Sequence, residues 1–444
     1  MEIRQVLTES LGDSTYLLTH QETGIVVDPQ RDIDRFERLI VDSGTELRLV
    51  LETHLHNDYI SGGPDLASRA GVELVLPAGA APAYRHRPAF HMEDIELGDL
   101  VIRPIHTPGH TPEHTSYLVL VAGEPMAVFS GGSLLVGSAG RPDLLGPERA
   151  ETLARLQYGS IHRIAVLPHQ VGVYPTHGQG SYCTTTIASG PTSTVGVEKK
   201  DNPALAYPDE DSFVEGQLAA LGPWPAYYAH MAPANVFGVP PLELREVPIL
   251  TKDDYEQAIP TAIVVDARPL ERFAAGHLLG SLAIALGDSF GTWVGWVLPY
   301  QAPLILVLDP DQDLDEAQRQ LGRIGFDKIQ GVIRDLSEWD VDLESHRVVD
   351  LSEFTKAVEA GAQVLDVRSP IDWADGTIPG STLAYVPDVA LATPVGLDQG
   401  REVWVACESG YRANLAASVL EVRGFRPVVL IGPGVPEVLD SMTS

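Results

Sequence analysis

The sequence predicts an α/β protein built in three parts, and three observations lead there. Short apolar strands alternate with helical patterns over residues 1 to about 185. A segment at 264–281 returns in altered form at 364–381. Each copy then runs into a continuously apolar stretch, LILVLD at 304–309 and EVWVAC at 402–407, which reads as a strand buried on both faces of a parallel sheet. The 444 residues leave room for roughly two to four domains of ~100–200 residues each.

In chain order, the first part predicts strands in DSTYLLTH (13–20), TGIVVDP (23–29), LRLVLETH (47–54), VELVLP (72–77), LVIRPIHTPGH (100–110), TSYLVLV (115–121), MAVFSGG (126–132) and RIAVLPHQ (163–170). Helical patterns stand between them in RDIDRFERLIVDSG (31–44), DLASRAG (65–71) and PERAETLARLQYG (147–159). Residues 186–246 change character, with Ser, Thr, Gly and Pro clusters around one helical pattern, DEDSFVEGQLAAL (209–221). They read as the closing part of a first domain, 1–246, plus a linker. Laying 264–281 on 364–381 pairs Asp266 with Asp366, Arg268 with Arg368, Phe273 with Trp373 and Gly276 with Gly376. Two copies of one fold, 247–342 and 347–444, are the economical reading. The apolar strands then align Asp309 with Cys407, so only the second copy carries a nucleophile.

Composition narrows the function. Acidic residues outnumber basic ones by 61 to 30, a formal charge of −31, and no basic run interrupts them. That field repels polyanions, so neither nucleic acid nor an anionic membrane is an expected partner. No uncharged apolar stretch reaches ~18 residues and the start lacks a basic region followed by an apolar one, so a soluble cytoplasmic protein is expected. Two cysteines, Cys183 and Cys407, are too few for a disulfide framework. The oligomeric state stays open, a homo-oligomer included.

CESGYR (407–412) joins the strand EVWVA to the helical pattern ANLAASVLEVRGF. A cysteine on such a turn receives backbone N–H groups and the positive end of a helix dipole, which favour an anionic sulfur. Gly410 lets the loop curl with its amides inward, and Arg412 opens the helix with a fixed charge. The segment resembles the active loop of the rhodanese family of sulfurtransferases, Cys-x-x-Gly-x-Arg, and DVRSPIDWADGTIPGS resembles that family's upstream signature. The resemblance implies Cys407 as the carrier of a persulfide sulfur, Arg412 as its catalytic partner, and Glu408, Ser409, Gly410 and Tyr411 as the substrate-binding loop. Four residues separate Cys407 from Arg412, one fewer than in the cysteine phosphatases of similar fold, which favours a persulfide over a phosphate. Thr377 stands where the family commonly has His. Residues 255–340 resemble a rhodanese domain without its cysteine, for which a structural or docking role is expected.

ETHLHNDYISGG (52–63) follows the apolar strand LRLVL, and further histidines occur in HTPGHTPEHTS (106–116) and YPTHG (174–178). Alternate histidines at a strand end can converge on one metal. The pattern resembles the metallo-β-lactamase fold, an αββα sandwich, and within it the persulfide (sulfur) dioxygenase branch that includes fusions to rhodanese domains. His54, His56, Asp58, His110 and His177 match the family motif position by position. Tyr59 replaces the motif's last histidine and Gly132 replaces its metal-binding Asp. The matches imply one Fe(II) or Zn(II) held by His54, His56 and His110, with Asp58 and His177 as weaker candidates. Arg141 matches an arginine near the family site and is expected either to contact an anionic substrate or to pair with Asp143. Cys183 is expected to be structural.

The resemblances together imply an enzyme of sulfide metabolism. Its metal domain would oxidise a low-molecular-weight thiol persulfide with O₂ to sulfite and thiol. Its Cys407 persulfide would exchange sulfane sulfur with sulfite or thiosulfate, and fusion would raise the effective concentration of the shared intermediate. Two alternatives stand beside this: a sulfurtransferase with a non-catalytic metallo-β-lactamase domain, and a Zn-dependent thioester hydrolase fused to rhodanese.

Overall fold

The computed structural model describes residues 1–185, 190–337, 339 and 341–443, so positions 186–189 of the expected linker region lie outside the described residues, as do 338, 340 and 444 of the two copies. The chain divides into two compact units, 1–243 with 322–325, and 244–321 with 326–444. The second unit therefore holds both copies of the repeat apart from residues 322–325. Among the described residues no helix is long and apolar enough to cross a membrane.

The first unit is a sandwich. Among its described residues one six-stranded sheet runs Glu2–Thr8, Asp13–His20, Thr23–Val27, Glu46–Leu51, Glu73–Pro77, Arg87–Ala89 in spatial order. The other runs Ser193–Thr194, Gly172–Pro175, Glu124–Gly131, Thr115–Val121, Leu100–His106, Ile95–Leu97. Alternation along each strand divides the core. Tyr16, Leu18, Val27 and Leu51 meet Ile102, Tyr117, Val119 and Phe129 between the sheets. Leu17, Val26 and Val50 face the other way, onto Phe36 and Leu66 of the helices Asp34–Ser43 and Gly63–Ala70. Leu118, Val128 and Val173 face Ala154, Ile161 and Phe213, the first two on the helix Pro147–Ala165 and the last on Glu210–Ala219. Helices thus cover both outer faces, giving the expected αββα layering.

Two expectations for this unit change. RIAVLPHQ is not a strand: the helix that begins at Pro147 continues to Ala165, because Ala154, Ile161, Ile164 and Ala165 keep a buried helical stripe, and the strand comes later, at Gly172–Pro175. The region taken as a linker carries a further helix, Tyr228–Phe237, whose Asn235 side chain donates to the carbonyls of His56 and Tyr59 at 2.9 and 2.8 Å.

The second unit holds two parallel sheets. Among the described residues the first copy orders its strands Leu282–Ala283, Ile263–Asp266, Leu304–Val307, Ile329–Ile333. The second repeats that order as Thr382–Leu383, Gln363–Asp366, Glu402–Ala406, Arg426–Leu430, and adds Arg347–Val349 at the edge. In the first copy a single bridge, Ile249 to Val332, stands in place of that edge strand. The repeated residues serve the same purpose twice. Arg268 pairs with Asp266 at 2.6 Å and donates to the Gly276 carbonyl at 2.8 Å, and Arg368 pairs with Asp366 at 2.7 Å and donates to Gly376 at 2.6 Å. Each pair ties the strand to the turn that follows the next helix.

Asp366 and Arg368 are both buried, so removing one partner leaves a stranded charge. Arg368→Met should lower the stability of the second unit by about 3–5 kcal/mol. Urea unfolding of the full chain measures this; a loss of ~1 kcal/mol or less, the worth of a surface pair, would contradict it.

Candidate functional site

In the first unit the histidine motifs follow strand ends, where the sheets deliver side chains to one rim of the sandwich. His54 and His56 follow Glu46–Leu51, His110 follows Leu100–His106, and His177 follows Gly172–Pro175. All four are buried. Ligand atoms of His54, His110 and His177 lie within 4.8 Å of one another, and His177 Nε2 is 3.3 Å from His54 Nε2.

Hydrogen bonds fix the ring orientations. Thr53 Oγ1 donates to Asp28 Oδ2 at 2.7 Å and must therefore accept from His54 Nδ1 at 2.9 Å, which turns the His54 Nε2 lone pair toward His177. His110 Nδ1 lies 2.9 Å from the Arg141 carbonyl and donates to it. Its Nε2 is buried with no hydrogen-bond partner. His177 Nδ1 donates to Asp13 Oδ1 at 2.8 Å and sits 3.2 Å from Asp58 Oδ2.

The electrostatics divide the rings. Burial pushes His54 well below its ordinary value, and burial together with the charge on His177 pushes His110 down to about 3. Burial also opposes a charge on His177, yet Asp58 and Asp13 outweigh it and push the ring up to about 9. Burial and repulsion from Asp58 raise Asp13 to about 8, whereas His177 overcomes burial to hold Asp58 below the carboxylate range. Two neutral imidazoles, one of them with an orphaned buried nitrogen, thus stand beside the His177 ring, which shares a proton with His54. This donor set fits one divalent cation, which would take that proton's place.

The expected grouping of His54 with His56 and His110 differs from the one the structure brings together. His56 Nε2 lies 3.0 Å from both Glu52 Oε2 and the Tyr59 hydroxyl and 3.4 Å from Asp28 Oδ1, and its ring stacks on Tyr59 at 4.3 Å. Burial opposes a charge there too, but Asp28 and then Glu52 raise His56 well above its ordinary value, and its Nε2 is engaged by those carboxylates. His177, a weaker candidate in the sequence, is the ring that groups with His54 and His110. His56, Asp58 and His177 do form a second close group, but both groups need His177.

Gly132 explains why the family carboxylate is absent without collapse. A Cβ at 132 would stand 2.2 Å from His110 Cδ2, so the imidazole occupies the space that a side chain would need. Arg141 departs from the substrate-contact expectation. Its guanidinium chelates Asp143 at 2.7 and 2.8 Å and donates to the carbonyls of Tyr182 and Gly222, so it serves the site through its own carbonyl. Cys183 is buried, with Sγ donating to Asp58 Oδ2 at 3.3 Å, and burial raises its thiol well above the ordinary value. That agrees with a structural thiol. The sequence reading passed over four contributors: Asp13, Asp28, Asn235 and His114. His114 accepts the Gly132 N–H on Nε2 at 2.9 Å and bonds Thr107 through Nδ1 at 2.9 Å, so both its nitrogens are engaged. Its place in HTPGHTPEHTS was the available signal, whereas Asn235 sits in no motif.

In the second unit Cys407 directly follows the strand Glu402–Ala406, and the helix Tyr411–Val422 begins four residues later. Sγ accepts the N–H of Gly410 at 3.1 Å and of Ala413 at 3.4 Å. Gly410 has φ +93°, and a Cβ there would press to 3.0 Å on Ile431 Cα and the Leu430 carbonyl. Arg412 pairs with Asp372 at 2.8 Å and Glu408 at 2.6 Å, so carboxylates already occupy the guanidinium and the sulfur's direct donors are backbone. Glu408 and Ser409 are exposed on the loop, and the Tyr411 hydroxyl donates to the Ala285 carbonyl of the first copy at 3.1 Å. At the matching position of the first copy, the Asp309 backbone N–H is taken by Gln312 Oε1 at 2.8 Å.

A two-sheet sandwich with histidines gathered on one rim defines a metallo-β-lactamase domain, and residues 11–177 match the family model described as the metallo-beta-lactamase superfamily. Residues 350–439 match the model for a rhodanese-like domain. The chain is 30% identical over 244 residues to the mitochondrial persulfide dioxygenase ETHE1 of Bos taurus, covering 53% of this chain and 87% of that one. It is 28% identical over 181 residues to a hydroxyacylglutathione hydrolase of Francisella tularensis subsp. novicida, covering 39% of this chain and 66%, just under two thirds, of that enzyme. A crystal structure of a metallo-beta-lactamase from Staphylococcus aureus aligns with a TM-score of 0.67 at 29% identity, over 75% of this chain and 99% of that one. The chain belongs to the metallo-β-lactamase superfamily. Its particular form is an ETHE1-like metallo-β-lactamase domain joined to a C-terminal rhodanese-like domain.

Two substitutions test the geometry. Gly132→Ala should displace His110 and lower bound metal, although it moves the position toward the family's larger residue; unchanged metal content by plasma mass spectrometry would contradict the placement of His110. Gly410→Ala should lower the stability of the second unit by ~1–3 kcal/mol, the strain of a side chain at a left-handed position. Urea unfolding of the second unit at the unsubstituted midpoint would contradict the left-handed geometry of the loop.

Proposed function

We propose that this chain oxidises a low-molecular-weight thiol persulfide in its first unit and moves sulfane sulfur through Cys407 in its second. The observation that carries the transferase half is the Cys407 sulfur receiving two backbone N–H groups at a helix start. The overall reaction in the first unit is RSSH + O₂ + H₂O → RSH + SO₃²⁻ + 2H⁺. When bound, the metal held by His54, His110 and His177 supplies positions at which a sulfur anion and O₂ can meet. This chain's residues orient and charge that site: Asp13 and Asp58 set the proton on His177, the Arg141 carbonyl aims His110, and Asn235 clamps the His56–Tyr59 loop.

In the second unit the Cys407 thiolate attacks the sulfane sulfur of RSSH, its S–S bond breaks, and the leaving RS⁻ takes the proton of that sulfur to depart as RSH. Cys407 then bears the persulfide, whose outer sulfur carries the charge stabilised by the loop N–H groups. Attack by sulfite on that outer sulfur forms the S–S bond of thiosulfate and returns the Cys407 thiolate. The first unit would thereby supply the acceptor that the second consumes, and their fusion raises its effective concentration.

A second reading, a sulfurtransferase whose first unit does no oxidation, is favoured by the absent carboxylate at Gly132. A dinuclear hydrolase fits less well, since the groups His54–His110–His177 and His56–Asp58–His177 share His177, and His56 is engaged by Glu52 and Asp28.

Product analysis separates these. Given a thiol persulfide and O₂, the unsubstituted chain should yield thiosulfate, and Cys407→Ser should yield sulfite with its metal content intact. Thiosulfate formed enzymatically by Cys407→Ser would refute the nucleophile, and no sulfite from that variant would refute the oxidative half.

A further inference from the structure

A second cluster of metal-ligating side chains lies in the second unit, apart from Cys407. His277 follows the helix Leu270–Ala275 of the first copy, His346 directly precedes the strand Arg347–Val349, and Glu421 lies on the helix Tyr411–Val422 of the second copy. Their ligand atoms all lie within 4.8 Å of one another. His277 Nε2 is 2.8 Å from Glu421 Oε2, and His346 Nε2 is 3.3 Å from Glu421 Oε1. Both imidazoles are fully buried while the Glu421 side chain keeps 14% exposure, which leaves the cluster one opening to solvent.

The rings are held in the orientation that metal ligation requires. His277 Nδ1 lies 2.9 Å from the Phe273 carbonyl, which can only accept, so Nδ1 carries the proton, and the ring lies flat on Phe273 at 3.7 Å. His346 Nδ1 faces the amide oxygen of Asn414 at 3.3 Å and donates in the same way. Both Nε2 atoms therefore point at one carboxylate, with the far nitrogen of each ring held by an acceptor, the usual support for a metal-bound histidine. His346 Nε2, buried and aimed into the cluster, makes no hydrogen bond.

We propose that His277, His346 and Glu421 form a structural Zn²⁺ site that ties the two copies of the second unit together, with water as the fourth ligand. Two imidazoles and one carboxylate are a borderline donor set suited to Zn²⁺. Bonds of ~2.0–2.2 Å put tetrahedral donors roughly 3.3–3.6 Å apart, so the His277–Glu421 contact of 2.8 Å must open by only about 0.5–0.8 Å and the His346–Glu421 contact of 3.3 Å already has that spacing. The ion enters as the proton between His277 and Glu421 leaves for solvent. It would fix the helix whose first turn cradles Cys407 to the copy that has Asp309 in place of a cysteine, and so give that copy a task without sulfur chemistry.

The test counts Zn²⁺ by difference, so an ion in the first unit does not enter the result. Metal-stripped full chain, Glu421→Gln and His346→Gln are dialysed against Zn²⁺ and analysed by plasma mass spectrometry, with circular dichroism to verify folding. Each variant should bind one Zn²⁺ fewer per chain than the unsubstituted protein, and Zn²⁺ should raise the unfolding temperature of the second unit only in the latter. Glu421→Gln keeps the volume and a hydrogen-bond acceptor, so it alone decides if His346→Gln does not fold. Equal Zn²⁺ counts in the unsubstituted chain and Glu421→Gln would overturn the proposal.

Discussion

A buried imidazole between two carboxylates organises the first unit. His177 bonds Asp13 from one strand and meets Asp58 from the loop after another, and Asp13 also bridges to it through the backbone. A charged ring at that depth would be untenable alone, and two buried carboxylates side by side would be equally costly. Together they settle into one charge-balanced group whose proton faces His54. From there hydrogen bonds run through Thr53 to Asp28, which sits at φ +52° just past its strand. Asp28 also accepts from the Thr53 N–H and the Thr176 hydroxyl, so strand ends from both sheets close on one carboxylate. The geometry of the candidate metal site depends on that closure.

Much of this was legible in the sequence, and the remainder was not for definite reasons. Strand ends carrying His54, His110 and His177 were visible because an apolar run followed by a turn and a histidine is a local pattern. Which three rings converge is a question of charge. His56 has the right spacing, but Glu52 and Asp28 claim it, and Tyr59 gives it a stacking surface. None of those interactions has a sequence period. Asn235 was invisible for a different reason, since it reaches the site from a helix placed by tertiary packing within a segment whose composition reads as a linker. The misplaced strand at 163–170 shows the limit of short apolar runs: Ile164 and Ala165 continue a helical stripe, and periodicity over eight residues does not separate the two.

The second unit was read more fully because its signals are repeated. Asp266 with Arg268 and Asp366 with Arg368 make the same buried fork to the same glycine carbonyl, so the paired motif records a structural need and says nothing of catalysis. Chemistry divides the copies at one position. Cys407 sits in a loop whose amides turn onto sulfur, while the matching loop at Asp309 spends its amide on Gln312. The helix after Cys407 is buried along Ala413–Leu420, as its nearly all-apolar sequence requires, and Ser418 Oγ accepts the Ala283 N–H of the first copy. In a chain of charge −31, potential favourable to anionic sulfur is supplied locally, by backbone N–H groups more than by Arg412, whose charge Asp372 and Glu408 already offset.

The central claim is that three imidazoles, without the family carboxylate, hold a metal that consumes O₂. Oxygen uptake by anaerobically purified chain of measured iron content, given a thiol persulfide, tests it most directly. The account predicts uptake that scales with bound iron and vanishes in His177→Ala. Stoichiometric iron with no uptake, or uptake that survives in His177→Ala, would contradict it.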